Sequence, residues 1–141
     1  MAQASALRRI TSRRDPVSEQ LGIDFAYAAD GACLATLDAG PRVCNVNGVV
    51  HGAVLFAMAD TGMGFTLLEA LGGQPLLSSI SVTANYLRPA APGCIEARAS
   101  LLRMGRSVAF LACHVRDGEG RDCASFSGVF HIRAEKEGPQ S

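Results

Sequence analysis

The run AVLFAMADTGMGFTLLEAL, residues 53–71, decides the fold. Ala, Leu and Met favour a helix, and apolar residues on nearly every face are typical of a buried one. Gly72-Gly73 predicts where the helix ends. The 16 residues before Glu69 are interrupted by Asp60, so the run falls short of the roughly 20 apolar residues of a membrane span. We therefore expect a core helix and no membrane association.

After the helix, apolar and polar residues alternate with the period of two that is typical of β-strands. The clearest alternation begins at Leu77 and carries Ile80, Val82, Ala84 and Tyr86 on one face. Short Gly- and Pro-containing breaks make the neighbouring strands antiparallel. The three further predicted strands occupy residues 95–101, 108–115 and 122–132.

The sequence before the helix predicts a short helix, a strand pair and a loop. Asp15 can cap the short helix, with Pro16 at its first position. Asp30-Gly31 is a hairpin turn signal. In order, these elements are predicted at residues 15–22, 23–29, 32–37 and 38–50. The fold class is therefore α+β, with an antiparallel sheet wrapped around one long buried helix.

Length and composition narrow the function. The chain has 141 residues, the size of one domain. Hydrophobic residues make up 48% and charged residues 18%, and this apolar surplus favours a homo-oligomer. Thirteen basic and thirteen acidic residues give a formal net charge of zero, which argues against nucleic-acid binding.

The cysteines indicate the compartment. Their number is odd and none forms a CxxC pair, which disfavours a disulfide framework or a zinc site. We expect free buried thiols in a reducing cytoplasm. The five are Cys33, Cys44, Cys94, Cys113 and Cys123.

The N-terminal region is basic. No long apolar stretch follows its arginines, so a secretory signal is not expected. Three interpretations stay open: a mobile arm or frayed helix, an arm that contacts an anionic ligand or a partner subunit, and a transit peptide. The predicted organisation is an arm at residues 1–14, a domain at 15–134 and a tail at 135–141.

Asp60 is the first candidate for chemistry. It is the only charged residue between His51 and Glu69, inside a helix that must be buried. A buried carboxylate is costly unless it is paired, solvated or used. It either bonds nearby groups such as Thr61 or an internal water, or it takes part in a reaction.

The loop NVNGVVHGA, residues 45–53, leads into the helix. Gly52 lies at the helix start, where backbone N–H groups lack partners and the dipole is positive. Such an N–H can stabilise an oxyanion, although a Gly there is often only a cap. Asn45 and His51 could hold a water or a carbonyl, or serve as structural hydrogen-bonding groups.

The pattern N-x2-G-x2-H-G-A-x6-D-T over residues 45–61 resembles the signature of hotdog-superfamily acyl-CoA thioesterases. The resemblance is to the PaaI-like branch, the phenylacetate-pathway thioesterases, which includes mammalian thioesterase superfamily member 2. The segments NYLRP at residues 85–89 and MGRS at 104–107 are also similar, and the likeness runs from about residue 16 to 132. It implies a hotdog fold, an acyl-CoA substrate, and a homodimer that pairs into a homotetramer.

The resemblance also implies a site. The catalytic carboxylate falls on Asp60 and the oxyanion-binding N–H on Gly52, with Asn45, His51 and a helper hydroxyl on Ser79. Asp60 would act as general base for water, or attack directly to form an anhydride. No cofactor is expected, and no metal, because a recognisable ligand cluster is lacking.

The CoA phosphates require positive partners. Strand ends and turns offer Arg88, Arg103, Gly105 and Arg106, although solvated surface arginines are common. Ala53 stands where the family usually has a second Gly, which leaves the acyl preference open.

Two other functions compete with hydrolysis. One is a hotdog hydratase or dehydratase, disfavoured because Asn45 stands where those enzymes place an acid. The other is an acyl-CoA-binding protein without turnover, against which the intact Asp60 and Gly52 weigh.

Overall fold

A computed structural model describes residues 7–73 and 76–133. Seven antiparallel strands form one sheet in the order β1-β2-β3-β5-β6-β7-β4, and the long helix packs against β3 to β7. This arrangement confirms the expected hotdog fold. The helices are α1 (Pro16–Leu21), α2 (Gly52–Ala70) and a 3-10 turn (Pro41–Val43). The strands are β1 (Arg8–Arg9), β2 (Asp24–Tyr27), β3 (Cys33–Ala39), β4 (Leu76–Tyr86), β5 (Gly93–Met104), β6 (Val108–Arg116) and β7 (Asp122–Arg133).

Helix α2 forms the centre of the core. By length and composition alone it could cross a membrane, yet Met58, Met63 and Leu67 are completely buried within the fold. Gly72 and Gly73 adopt φ values of +77° and +84°, a left-handed backbone that ends the helix. The predicted core helix and its predicted end are both confirmed.

The short helix α1 lies where the sequence predicts it and ends at Gly22, with φ of +82°. Asp15 precedes it, but its side chain makes no capping bond. Its carboxylate instead accepts hydrogen bonds from the hydroxyls of Ser18 and Thr61. Asp15 therefore connects α1 to α2, because Ser18 belongs to α1 and Thr61 belongs to α2, where it follows Asp60.

The described part of the basic arm contains an edge strand. Arg8–Arg9 pairs with β2 at one edge of the sheet, and the Arg8 guanidinium lies 4.9 Å from the centre of the Tyr27 ring while pairing with Glu69. Arg8–Arg9 is therefore a strand and not part of a helix. The first six residues and the predicted tail at 135–141 lie outside the described ranges.

Strand β4 forms the opposite edge and departs from strict alternation. Its register with β7 shifts between Ser79 and Ser81, so Ile80 is an extra residue of a β-bulge. Val82 and Ala84 are half-buried as expected, whereas Ile80 is 58% exposed and Tyr86 53% exposed. The expectation that all four lie on one face is therefore wrong for Ile80, because the bulge displaces it.

The five cysteines are free thiols. Burial raises the pKa of both the Cys33 and the Cys113 thiol to about 12, so neither is a reactive thiolate. Cys123 is also buried, Cys44 is half-buried, and Cys94 is exposed. The expectation of burial fails for Cys94.

Candidate active site

Asp60 lies in the third turn of α2 and is half-buried. Its Oδ1 is buried without a hydrogen-bond partner among the described residues. Burial raises the pKa of this carboxyl, the nearby Ser79 hydroxyl lowers it, and the negative charge of Asp15 raises it. An underbonded carboxylate with a raised pKa is suited to accept a proton.

A cleft of about 500 Å³ opens beside Asp60. The helix contributes Asp60, Thr61, Gly64 and Leu68, which are only half-buried, whereas nine residues of α2 are buried. The spacing of three to four residues places them on one helix face. The apolar walls of the cleft are Phe65, Leu77 and Phe130, and Ser79 lies near them.

Two arginines of the basic arm line the same cleft, which sequence reasoning did not identify. Arg14 donates two hydrogen bonds to the Glu19 carboxylate, at 2.9 and 2.7 Å. Arg13 donates to the carbonyl of Gly73, just beyond α2. The run of arginines in the sequence predicts a basic arm but not its position. The folded chain, in which β1 pairs with β2, places the arm close to Asp60.

Gly52 is the first residue of α2. Its N–H has no acceptor within the described parts of the chain. The Tyr86 hydroxyl donates to the Gly52 carbonyl at 3.0 Å, and a Cβ at position 52 would lie 3.2 Å from Tyr86 ring carbons. The helix start therefore presents a free N–H, as an oxyanion donor requires, and Tyr86 covers its other side.

The two loop residues of the predicted site have structural bonds. His51 caps α2, because its Nδ1 accepts the Ala53 N–H at 2.9 Å. The Asn45 side-chain oxygen accepts the N–H groups of Asn47 and Val49, at 2.9 and 3.4 Å. What Asn45 can still offer a ligand is its amide NH₂, and His51 can offer Nε2.

Within one chain, Gly52 and Asp60 do not converge. They are eight residues apart, about 12 Å along an α-helix. Gly52 contacts Tyr86 at the end of β4, whereas Asp60 lies near Ser79, toward its beginning. The two groups face opposite ends of the same edge strand.

The candidate CoA-binding residues also divide between the two ends of the sheet. Arg88 follows β4, and its N–H donates to the Cys123 carbonyl at 3.2 Å. Arg103, Gly105 and Arg106 form the β5–β6 hairpin, beside the far end of β7. From Cys123 to Ile132, β7 extends about 30 Å at 3.3 Å per residue. This distance separates the groups, so one chain does not bring all four together.

The described residues contain no cluster of His, Cys, Asp or Glu that could hold a metal ion. The features of the site are a carboxylate, a helix N-terminus and a cleft. Residues 47–124, more than half of the chain, match the family model of the thioesterase superfamily. The chain belongs to this superfamily. It is accordingly a thioester hydrolase.

Individual thioesterases agree with this assignment. The acyl-coenzyme A thioesterase PaaI of Escherichia coli is 26% identical over 119 residues, which cover 83% of this chain and 82% of PaaI. The solved structure of that PaaI protein superposes with a TM-score of 0.79 at 22% identity, covering 87% of this chain and 88% of PaaI. A thioesterase from Haemophilus influenzae superposes with a TM-score of 0.81 at 24% identity, covering 88% and 87%. These superpositions establish the same fold.

Proposed function

We propose that this thioesterase hydrolyses acyl-CoA to CoA and a carboxylic acid. The observation that carries the proposal is Asp60, whose Oδ1 has no partner among the described residues and which borders an open cleft. The free N–H of Gly52, at the start of the same helix, supplies the second group that the reaction needs. The similarity to PaaI supports acyl-CoA as the substrate class.

Asp60 acts on the thioester carbonyl carbon by one of two routes. As general base it takes a proton from water while the water oxygen attacks. As nucleophile it forms an anhydride, which water then hydrolyses. In both routes the carbon–sulfur bond breaks, the sulfur leaves as CoA thiolate and acquires a proton, and the Gly52 N–H stabilises the negative carbonyl oxygen.

The distance between Gly52 and Asp60 favours a site shared by two chains. Reacting groups must lie about 3 Å from the carbonyl carbon, but these two are about 12 Å apart along the helix. Among the described strands, none pairs with the outer edge of β4, and this strand exposes Leu76, Ile80 and Tyr86. Antiparallel pairing of two β4 edges would bring the Gly52 of one chain toward the Asp60 of the other.

The same pairing of two β4 edges would bring the candidate CoA-binding residues of the two chains close together. It places the β4 end of one chain, with Arg88, near the hairpin of the other, with Arg103 and Arg106. Positive charges from both chains would then surround the CoA phosphates. We further propose that such dimers pair into a tetramer, with residues 15–134 as the catalytic domain, and that the protein works in the cytoplasm.

The other candidate site residues support the reaction without contributing the base or the oxyanion-binding N–H. The Ser79 hydroxyl lies near Asp60, where it can orient the carboxylate or the attacking water. His51 fixes the start of α2 through its bond to Ala53, and the Asn45 amide can donate to the thioester carbonyl.

A thiol-release assay over a panel of acyl-CoA substrates tests the proposal. Asp60→Asn keeps size and shape but removes the base, so turnover should fall by roughly 10²–10⁴. Near-normal turnover would refute the role of Asp60. Tight acyl-CoA binding without thiol release would indicate a binding protein, and addition or loss of water with the thioester intact would indicate a hydratase or dehydratase.

A further inference from the structure

Gly64 lies in the interior of α2, where packing does not require a glycine. A helix-interior Gly is destabilising relative to Ala because it loses more backbone freedom on folding. Among the described residues, a Cβ at position 64 would meet only Phe130 Cε2, at 3.8 Å, which is an ordinary contact distance. An alanine therefore fits, and the fold alone does not explain why this position has no side chain.

The position of Gly64 relative to Asp60 offers an explanation. The two residues are four apart, so they lie on the same helix face, one turn from each other. Because every Cα–Cβ bond in a helix tilts toward the N-terminus, a side chain at 64 would cover the turn that carries Asp60. Both residues line the cleft. The missing side chain leaves space immediately beside the carboxylate.

The walls around this space indicate what fills it. Phe65, Leu77 and Phe130 border the cleft near Gly64, and Phe130 is 4% exposed and therefore fixed in the core. Much of the remaining cleft lining is polar or charged, but the side chain nearest to position 64 among the described residues is that of Phe130. An apolar wall at this point suits hydrocarbon better than the polar pantetheine arm of CoA. The carbonyl carbon must lie closest to Asp60, and it is bonded to both the acyl α-carbon and the CoA sulfur. Of these two substituents, the apolar wall beside position 64 favours the acyl carbon.

We infer that Gly64 is a specificity-determining residue that makes room for acyl groups carrying a branch or ring next to the carbonyl. The inference rests on the proposed function, since it assigns the acyl arm of the substrate to the Asp60 cleft. A methyl group at position 64 would occupy the space that the branch needs and leave a slender linear chain unaffected.

The test compares two isomeric substrates, valeryl-CoA and 2-methylbutyryl-CoA, in the wild type and in Gly64→Ala. One methyl group in an apolar pocket changes kcat/KM by roughly 10–200-fold. We expect a loss of that size for the branched isomer, largely in KM, and little change for the linear one. An equal loss for both isomers, or no loss for either, would overturn the inference.

Gly62→Ala is the matched control. It adds the same methyl and the same helix propensity at a buried position, where the new Cβ would lie 3.6 Å from the Ala99 side chain. It should not change the ratio between the isomers. Thermal unfolding and light scattering of Gly64→Ala should show an intact fold and assembly, and a loss of assembly would assign Gly64 to subunit packing instead.

A binding measurement separates this inference from the proposed function. S-pentyl-CoA and S-(2-methylbutyl)-CoA carry the same linear and branched arms but cannot be hydrolysed. Gly64→Ala should weaken calorimetric binding of the branched thioether only. If the wild type releases no thiol from any acyl-CoA, the proposed function fails, but this comparison still decides the role of Gly64.

Discussion

The Tyr86 hydroxyl donates a hydrogen bond to the carbonyl of Gly52 at 3.0 Å, and carbons of the Tyr86 ring lie 3.2 Å from the place where a side chain at position 52 would begin. The last residue of β4 thus fixes the first residue of α2. A side chain at position 52 therefore requires Tyr86 to shift, whether or not the Gly52 N–H takes part in catalysis.

Gly52→Ala should therefore be destabilising only while Tyr86 is present. The new Cβ would lie 3.2 Å from the Tyr86 ring, a crowded contact that costs about 1 kcal/mol or more. Urea unfolding of both single variants and of the double variant with Tyr86→Ala measures the coupling. If Gly52→Ala costs the same free energy in both backgrounds, the contact does not constrain position 52.

Mixed dimers should test whether each site is shared. Asp60→Ala removes the base, and Gly52→Pro removes the N–H in a first turn that tolerates proline. His51 has φ of −62° and ψ of 133°, which suits a residue before proline. Co-refolding two inactive variants makes about half the dimers mixed, each with one intact shared site, so about a quarter of wild-type activity should return.

Gly52→Ala is the matched control for that experiment, because it adds a Cβ but keeps the N–H. Mixing it with Asp60→Ala separates the effect of the added carbon from the loss of the donor. Mixed dimers confirmed by mass that stay inactive would show that each site lies within one chain.

The pH profile should move in opposite directions for two neighbours of Asp60. Removing the charge in Asp15→Asn lowers the pKa of Asp60, so the acidic limb of kcat/KM shifts to lower pH. Ser79→Ala removes a group that lowers this pKa, so the limb shifts to higher pH. Asp38→Asn, on β3 and exposed, should leave the limb in place. Shifts of the same sign in the first two variants would contradict this account.

Asp60 should also reduce stability at neutral pH. Burial raises its pKa, so the folded state holds the proton more tightly than the unfolded state. The free energy of unfolding therefore falls as pH rises from the unfolded to the folded pKa, and stays lower above it. Asp60→Asn should unfold at a higher temperature than the wild type at neutral pH and lose this advantage in acid. Parallel melting curves across pH would argue against an energetic cost at Asp60.

The mass in solution should be a multiple of the 14.7 kDa chain, because β4 exposes an apolar edge. Light scattering at micromolar concentration measures it. Ile80→Lys adds a charge on the bulge without touching the core, and it should favour the single chain. A wild-type mass near that of one chain would exclude the dimer.

Local sequence patterns predict the core helix, the strands and the turns that join them. An apolar run too long for a strand and closed by Gly72-Gly73 predicts α2, and a period of two predicts the strands on which it packs. The short helix α1 and the Asp30-Gly31 turn depend on signals within a few residues. These features need no knowledge of distant contacts, which is why the sequence predicts them.

What sequence reasoning missed depends on contacts between distant segments. Strand β1 has only two residues, both Arg, and forms because β2 offers an edge. The bulge at Ile80 arises from its register with β7. The contact of Tyr86 with Gly52 joins residues 34 positions apart. Each requires the folded chain, and none leaves a periodic signal.

The exposed edge of β4 has a further consequence for the life of the protein. An unpaired edge with apolar side chains is a template for growth into fibrillar aggregates. Pairing between subunits and aggregation would then compete for the same β4 edge. In the proposed dimer, dilution or heating that releases single chains would abolish activity by separating the shared sites, and aggregation of the single chains would then make the loss irreversible. Purification and storage should accordingly succeed best at concentrations that keep the edges paired.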